Sequence, residues 1–375
     1  MHKDRRQFIR YLGLVGLNLF SSNTFAEKQK FCLLIESNTS SSIGDAGPAI
    51  LVGVNAALNA SKDHYPNIEI VPKLVNHHGN PSRAIDGLQL LAQSKFNCIG
   101  IVGGDDGNVS PLVLDWAQSQ GLPYGIVWAS NPSFINLPEG AVSTSLNDLI
   151  VLQSLWLLAA SQNKKKWGLL LANDGLGRGV YDSVLAEKFS KNFPELVGVE
   201  WHSLGNPAIG VQYQALQNKG ADFVFMAAHP EAALSLVKYQ TQQQMKTSQS
   251  RNHRFTPVVC SSNSWTRNIY RQTQGNVVHS SLIFALPQNF DYTDRHLNSG
   301  FAHPASSNAF LLTSSLIKNL AAQSNVSPTS REKDKTIARQ SFPQSEVLSV
   351  QVSPSFMRYA DNGKLTLVNP ASFFS

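Results

Sequence analysis

Cysteine is scarce: the 375 residues hold three, Cys32, Cys98 and Cys260, an odd number at wide spacing. That pattern excludes a disulfide framework, and no CxxC pair supplies a structural zinc spacing. Each cysteine sits in an apolar run that reads as a strand, at 31–35, 98–102 and 258–260, so all three are expected as buried thiols. Charge is sparse too, 15 % of residues against 42 % hydrophobic, a globular balance with material for one or two packed cores and not that of a disordered chain. The net charge is +6, half of it from the first 26 residues, where Lys3, Arg5, Arg6 and Arg10 outweigh Asp4. Beyond that segment no basic run and no basic–aromatic repeat offers a footprint for nucleic acid, which is not expected as a partner.

Catalytic signatures are missing as well. There is no GxSxG elbow, no HExxH and no Cys–His nucleophile context. The histidines form no metal motif: His77-His78 is an adjacent pair in a loop, and adjacent side chains on an extended segment point apart, so both are expected at the surface. Neither a cofactor nor a metal is expected.

What is present begins with a leader. Arg5, Arg6 and Arg10 precede a weakly apolar stretch from Tyr11 to Phe20, then small and polar residues end at Ala26, the order of a secretory signal. The apolar run is about half of the roughly 20 residues that a bilayer-spanning helix needs, so cleavage after Ala26 is expected and a permanent anchor is not. Arg5-Arg6-Gln7-Phe8-Ile9-Arg10 also resembles the twin-arginine export signal, while Asp4 before the pair departs from it and leaves ordinary Sec export open. Cys32 lacks the small-residue context of a lipoprotein cleavage site.

Past the leader, short apolar runs alternate with longer helical patterns, the signature of βα units around mostly parallel sheets. Strands are expected at Phe31–Ile35, Ile68–Leu74, Cys98–Val102 and Tyr124–Trp128, with helices at Pro48–Asn59, Pro81–Ser94 and Val109–Gln120. Asn80 as N-cap, Pro81 in the first turn, and Ala84, Leu88 and Leu91 on one face mark the second helix. The pattern restarts after Asn147 with a helix to Ala160, strands at Trp167–Ala172, Val197–Trp201 and Phe223–Ala227, and helices at Gly177–Phe193 and Pro230–Gln243. Late strands at Val277–Phe284, Val347–Val352 and Leu365–Val368 and a helix at Ser306–Gln323 are too few for a third domain, so they must join the two existing lobes.

Three turns lie beyond the carboxyl ends of strands, where open α/β sheets bind ligands. Gly103-Gly104-Asp105-Asp106-Gly107-Asn108 superficially resembles the GGDG phosphate loop of lipid and dinucleotide kinases, but the extra aspartate breaks the spacing and two carboxylates oppose phosphate. Asn173-Asp174-Gly175-Leu176-Gly177 follows another strand, with Asp174 placed to cap a helix. In Ala227-Ala228-His229-Pro230-Glu231, Pro230 opens a helix and Glu231 complements its dipole.

The order of motifs resembles the periplasmic solute-binding proteins of the leucine/isoleucine/valine-binding type over about Phe31 to Leu367. The residues that carry it are Asn173-Asp174-Gly175-Leu176-Gly177-Arg178-Gly179-Val180, similar to the turn opening that family's second lobe, with Asn80-Pro81-Ser82-Arg83-Ala84, Gly121-Leu122-Pro123, Ala221-Asp222-Phe223-Val224 and Asp361-Asn362-Gly363-Lys364. The resemblance implies an α/β fold of two doubly wound lobes joined by a three-crossing hinge, with 27–145 and 283–350 in the N-terminal lobe and 146–282 and 351–375 in the C-terminal lobe. It also implies a periplasmic, monomeric protein that closes on a small molecule and presents it to the membrane subunits of an ABC importer. By resemblance the ligand shell is Gly104, Asp105, Asp106, Gly107, Ala129 and Ser130 from the first lobe and Leu176, His229 and Glu231 from the second, with Glu231 meeting an ammonium group. Leu176 stands where the family has an aromatic residue, and Asp105-Asp106 where it has a Ser/Thr-rich carboxylate loop. Both departures move the expected ligand from a branched-chain amino acid toward an amine, an amide or another small polar organic molecule. The same cleft would serve a binding protein that feeds a membrane signalling receptor, and an exported enzyme using Asp105 and Asp106 is a third reading.

Overall fold

A computed structural model describes residues 28–93, 97–187, 193–203, 209–246, 255–273, 281–287, 303–324, 353–359 and 365–374. The expected leader, the strand at Val347–Val352 and the first part of the strand expected from Val277 lie outside them, as does Asp361-Asn362-Gly363-Lys364.

Two sheets organise the chain. The first is all parallel, in the order β2-β1-β3-β4-β5, from β1 (Gln29–Ser37), β2 (Ile68–Asn76), β3 (Asn97–Gly103), β4 (Tyr124–Ile126) and β5 (Ala141–Ser143). Cys32 to Ser37 are buried without alternation, as a central parallel strand covered on both faces must be. Helices α1 (Ala46–His64), α2 (Pro81–Ala92) and α3 (Ser110–Gln120) connect these strands. The second sheet runs β12-β11-β10-β9-β8-β6-β7, built from β6 (Lys166–Ala172), β7 (Glu195–His202), β8 (Phe223–Ala227), β9 (Val258–Cys260), β10 (Leu282–Pro287), β11 (Pro354–Tyr359) and β12 (Leu365–Leu367). Its strands are parallel from β7 to β10, while β11 and β12 pair antiparallel at the edge. Around it lie α4 (Asp148–Ser161), α5 (Gly175–Ala186), α6 (Ile209–Asn218), α7 (Pro230–Lys246) and α8 (Arg267–Gln272).

The late elements divide between the two units. Helix α9 (Pro304–Ser324) packs along α1 and against β3 of the first unit, whereas β10, β11 and β12 belong to the second sheet. The chain therefore passes between the units three times, after β5, after β10 and after α9, and the boundary expected at 283 falls inside β10. In the second unit the core is aromatic: Trp167 stacks on Phe223 at 6.2 Å, and Phe374 from the C-terminal turn reaches Phe223 at 5.1 Å. Among the described residues no helix is long and apolar enough to cross a membrane.

Candidate functional site

Strand order positions the site. In the first sheet the chain reverses direction of build between β1 and β3, and in the second between β6 and β8. The carboxyl ends of these strands carry Asn38, Gly104 to Asn108, Asn173-Asp174 and Ala228-His229, and helices leave on opposite faces there, opening a crevice. Between the two units lies a cleft lined from the first unit by Asn38, Asp45, Asp105, Asp106 and Trp128 and from the second by His229, Glu231, Asn263 and Trp265. Four of its lining side chains are carboxylates, and among the described residues neither lysine nor arginine lines it.

Beneath the first-unit wall sits a buried trio that composition alone does not reveal. Glu36 at the end of β1 is fully buried and accepts through Oε2 from Gly104 N–H at 2.7 Å and from the Tyr124 hydroxyl at 3.0 Å. His77 Nε2 lies 3.0 Å from Glu36 Oε1 and 3.2 Å from Asp105 Oδ1. His77 is fully buried, which corrects the surface position expected for it; His78 alone is exposed. The extended segment assumed there is a turn, with His78 at φ 53° and Gly79 at φ 73°, so the two rings do not simply alternate. Burial lowers the His77 ring's proton affinity, but Asp105 and Glu36 overcome that and lift its pKa to about 10. Gly79 N–H is directed at Nδ1 at 2.9 Å, which opposes that rise, because a doubly protonated ring would set N–H against N–H. Glu36, His77 and Asp105 are also the trio among the described residues whose donor atoms could gather a metal, lying within 4.8 Å of one another.

The sequence-derived site residues sort themselves by this geometry. Asp105 lines the cleft, yet its carboxylate is turned to protein partners, accepting from Asn38 N–H at 3.0 Å and from His77; burial raises its pKa. Asp106 lines the cleft with one oxygen accepting from Asn108 N–H at 2.8 Å. His229 and Glu231 line it from the second unit. His229 Nε2 contacts Asp174 Oδ2 at 2.6 Å; burial pulls the ring down, but Asp106, Asp174 and Glu231 raise its pKa to about 9. Glu231 Oε1 accepts from Ser41 Oγ across the units at 3.4 Å. Gly104, with φ +77°, approaches Tyr124 and Ile126 too closely for a side chain and holds Glu36 instead of facing the cleft. Gly107, Ala129, Ser130 and Leu176 stand outside the lining: Leu176 is buried in the second unit's core, and Ser130 Oγ donates to Asp148 Oδ2 at 2.9 Å.

Asn38, Asp45, Trp128, Asn263 and Trp265 line the cleft without having been singled out in the sequence. All but Asp45 lie just past a strand end, so the strand-end rule that found Asp105 and Glu231 reaches them too. Trp128, Trp265 and His303 form one aromatic junction, with His303 centred 4.8 Å from Trp128 and 5.1 Å from Trp265. Asp45 ties that junction to the second unit, its Oδ1 3.3 Å from His303 Nε2 and its Oδ2 accepting from Arg267 N–H at 3.1 Å. Further cross-unit ties lie at the mouth, where Gly175 N–H donates to Asn108 Oδ1 at 2.8 Å and Asn131 Nδ2 donates to Gly175 O at 3.2 Å.

Comparison with known proteins places these features in context. The family profile described as periplasmic binding protein matches residues 35–249. Among solved structures, a possible leucine/isoleucine/valine-binding protein from Rhodopirellula baltica SH 1 superposes with a TM-score of 0.68 at 12 % identity, covering 94 % of this chain and 100 % of that one. A branched-chain amino acid ABC transporter protein from Thermus thermophilus with bound valine gives 0.67 at 11 % identity, covering 91 % and 96 %. A solute-binding protein from R. palustris in complex with benzoate gives 0.68 at 12 % identity, with the same coverage of 91 % and 96 %. No curated protein matches the sequence.

Proposed function

The chain belongs to the periplasmic binding protein family, and from that premise we propose that it is an exported solute-binding protein that captures a small polar organic molecule bearing a cationic amine and delivers it to an ABC importer. One observation carries the choice of ligand charge: Asp45, Asp105, Asp106 and Glu231 line the cleft with His229 as its sole basic side chain among the described residues. The protein's own partners account for part of that charge. His77 serves Asp105, and the charge of His229 is answered by Asp174. Asp106 and Glu231, from opposite units, share the field of His229 with Asp174, three carboxylates to one ring, which leaves negative charge for a ligand to meet. A cation between them gains charge-assisted hydrogen bonds from both sides only when the units are together. Trp128 and Trp265, buried against each other and His303, add apolar bulk to the lining.

Binding then acts as a population shift. The ligand touches both units only in the closed form, so it stabilises that form by its differential affinity, and the closed shape is what an importer reads. The bound valine and benzoate of the structural relatives belong to those proteins; this cleft, without a lysine or arginine, is poorly suited to a bare carboxylate.

Thermal unfolding of the purified chain against amines, amino acids, amides, sugars and small acids tests the reading. A ligand at about 100 times its dissociation constant adds roughly 2.7 kcal/mol, which is readily visible. Shifts confined to cationic compounds are expected, and Glu231→Gln should weaken the binding of those compounds by about tenfold or more, ~1.4 kcal/mol. Shifts with anionic or uncharged compounds alone would overturn the assignment of ligand charge.

A further inference from the structure

We propose that Asn263 reads a carboxamide on the ligand, so that the solute is an amine carrying an amide group, such as an amino-acid amide or the amino end of a short peptide. The inference rests on the cationic-amine reading above and adds a second pole to it.

Three asparagines are buried among the described residues: Asn131, Asn147 and Asn263. Asn131 donates to Gly107 O and Gly175 O and accepts from Ser133 N–H; Asn147 donates to Asn131 O and Pro132 O and accepts from Leu149 N–H. Asn263 is 5 % exposed, lines the cleft, and neither its Oδ1 nor its Nδ2 meets a protein partner. Buried carboxamides are ordinarily paired, so one left open toward a cavity marks the place of a ligand. The side chain is not needed by its own turn. That turn, Ser262–Ser264, is closed by Ser264 N–H donating to Ser261 O at 3.0 Å and is pinned by Ser264 Oγ donating to Ala228 O at 2.6 Å. Gly107 makes room for Asn263 from the opposite unit: a Cβ there would stand 2.8 Å from Asn263 Nδ2.

Chemistry narrows the partner. An asparagine side chain offers one acceptor and two donors in a plane, and the group that answers both in one approach is another amide, with its C=O toward Nδ2 and its N–H toward Oδ1. A carboxylate could answer only Nδ2, would leave Oδ1 unmet, and would add a negative charge to a cleft that already holds four carboxylates. A neutral amide avoids both costs.

The test compares matched probes on the full chain by titration calorimetry: alaninamide and leucinamide against ethylamine and 3-methylbutylamine, which lack only the amide, and against alanine and leucine. The wild-type protein should bind each amide about tenfold more tightly than its amine partner. Asn263→Leu should abolish that advantage, so that each amide and its amine partner bind alike, and its ligand-free melting temperature should be no lower than the parent's, because the lost carboxamide had no protein partner. Asn263→Asp, of nearly the same shape, should lose the amide advantage as well, and it keeps the test decisive if the leucine variant does not fold. Equal affinity for amides and amines, an advantage that survives both substitutions, or tighter binding of the free amino acids than of their amides overturns the inference and leaves the cationic-amine reading standing. Absence of binding by every cationic probe overturns that reading and the inference with it.

Discussion

At His229 three carboxylates act on one ring. Asp174 contacts it directly at 2.6 Å, and Asp106 and Glu231 add their fields, so that against burial its pKa rises from 6.5 to about 9. A folded pKa above the unfolded one means that the protonated ring stabilises the fold fully below about pH 6.5 and that this contribution disappears as pH climbs through about 9. The shift corresponds to at most ~3 kcal/mol, by the ~1.4 kcal/mol that each pKa unit represents. Urea midpoints of the parent and of His229→Gln should therefore differ most near pH 6 and converge by pH 10; a constant offset across that range would deny the charge its role. His229 was legible in the sequence because it follows a strand and precedes a proline-started helix. His77 was not, because its burial depends on a turn at His78 and Gly79 and on the distant acids Glu36 and Asp105, none of which has a local signature.

Elements were readable in proportion to the length of their patterns. Helix α2 was marked at its start by Asn80, and the side chain indeed accepts from Arg83 N–H at 3.1 Å, with Pro81 in the first turn. Replacing Asn80 by alanine should cost about 1 kcal/mol of unfolding free energy without altering ligand affinity, since the residue lies outside the cleft lining. By contrast β5 has three residues and no apolar run to announce it, and α6 carries Ile209, Tyr213 and Leu216 inward from a segment to which the sequence reading assigned no element. The same brevity hid part of the site. Strand β9 is three residues long and is followed by Ser261-Ser262-Asn263-Ser264, a composition typical of exposed loops, yet that turn is buried because it closes the cleft floor beside Trp265. Polar residues at a strand end between two units are inside the molecule, and only the packing of the second unit on the first says so.

For the whole molecule, the closure proposed above would draw on the hydrogen bonds that join the two units. Asn108 Oδ1 accepts from the Gly175 N–H and Asn131 Nδ2 donates to the Gly175 carbonyl, holding the peptide groups on either side of that residue, and Ser41 meets Glu231. Asn108→Ala removes one grip at an exposed position, so it should barely move the unfolding midpoint while weakening ligand binding by roughly fivefold, ~1 kcal/mol, the net worth of a single hydrogen bond made only in the closed form. Small-angle scattering should show a larger mean radius for the ligand-free variant and an unchanged one for the ligand-saturated variant. Two sheets and their βα connections were legible from alternating patterns, but the partition of the late segments was not. Helix α9 and strands β10 to β12 carry ordinary helical and strand signals, and nothing local says which unit each completes.

The pairing of α9 with α1 bears on the birth of the protein. Helix α1 opens at Ala46, but the helix that covers it begins at Pro304, and the second sheet in turn waits for β11 and β12. Neither unit can seal its core until a ribosome has delivered nearly the entire chain. For as long as synthesis lasts, the leader proposed at 1–26 would precede a polypeptide that is still pliable. A channel that threads unfolded chains can engage it at any moment of that interval, whereas a machine that accepts only finished, folded cargo must wait for the last strands. The choice between the two export routes that Arg5-Arg6 leaves open is thus a race between capture and the arrival of the C-terminus.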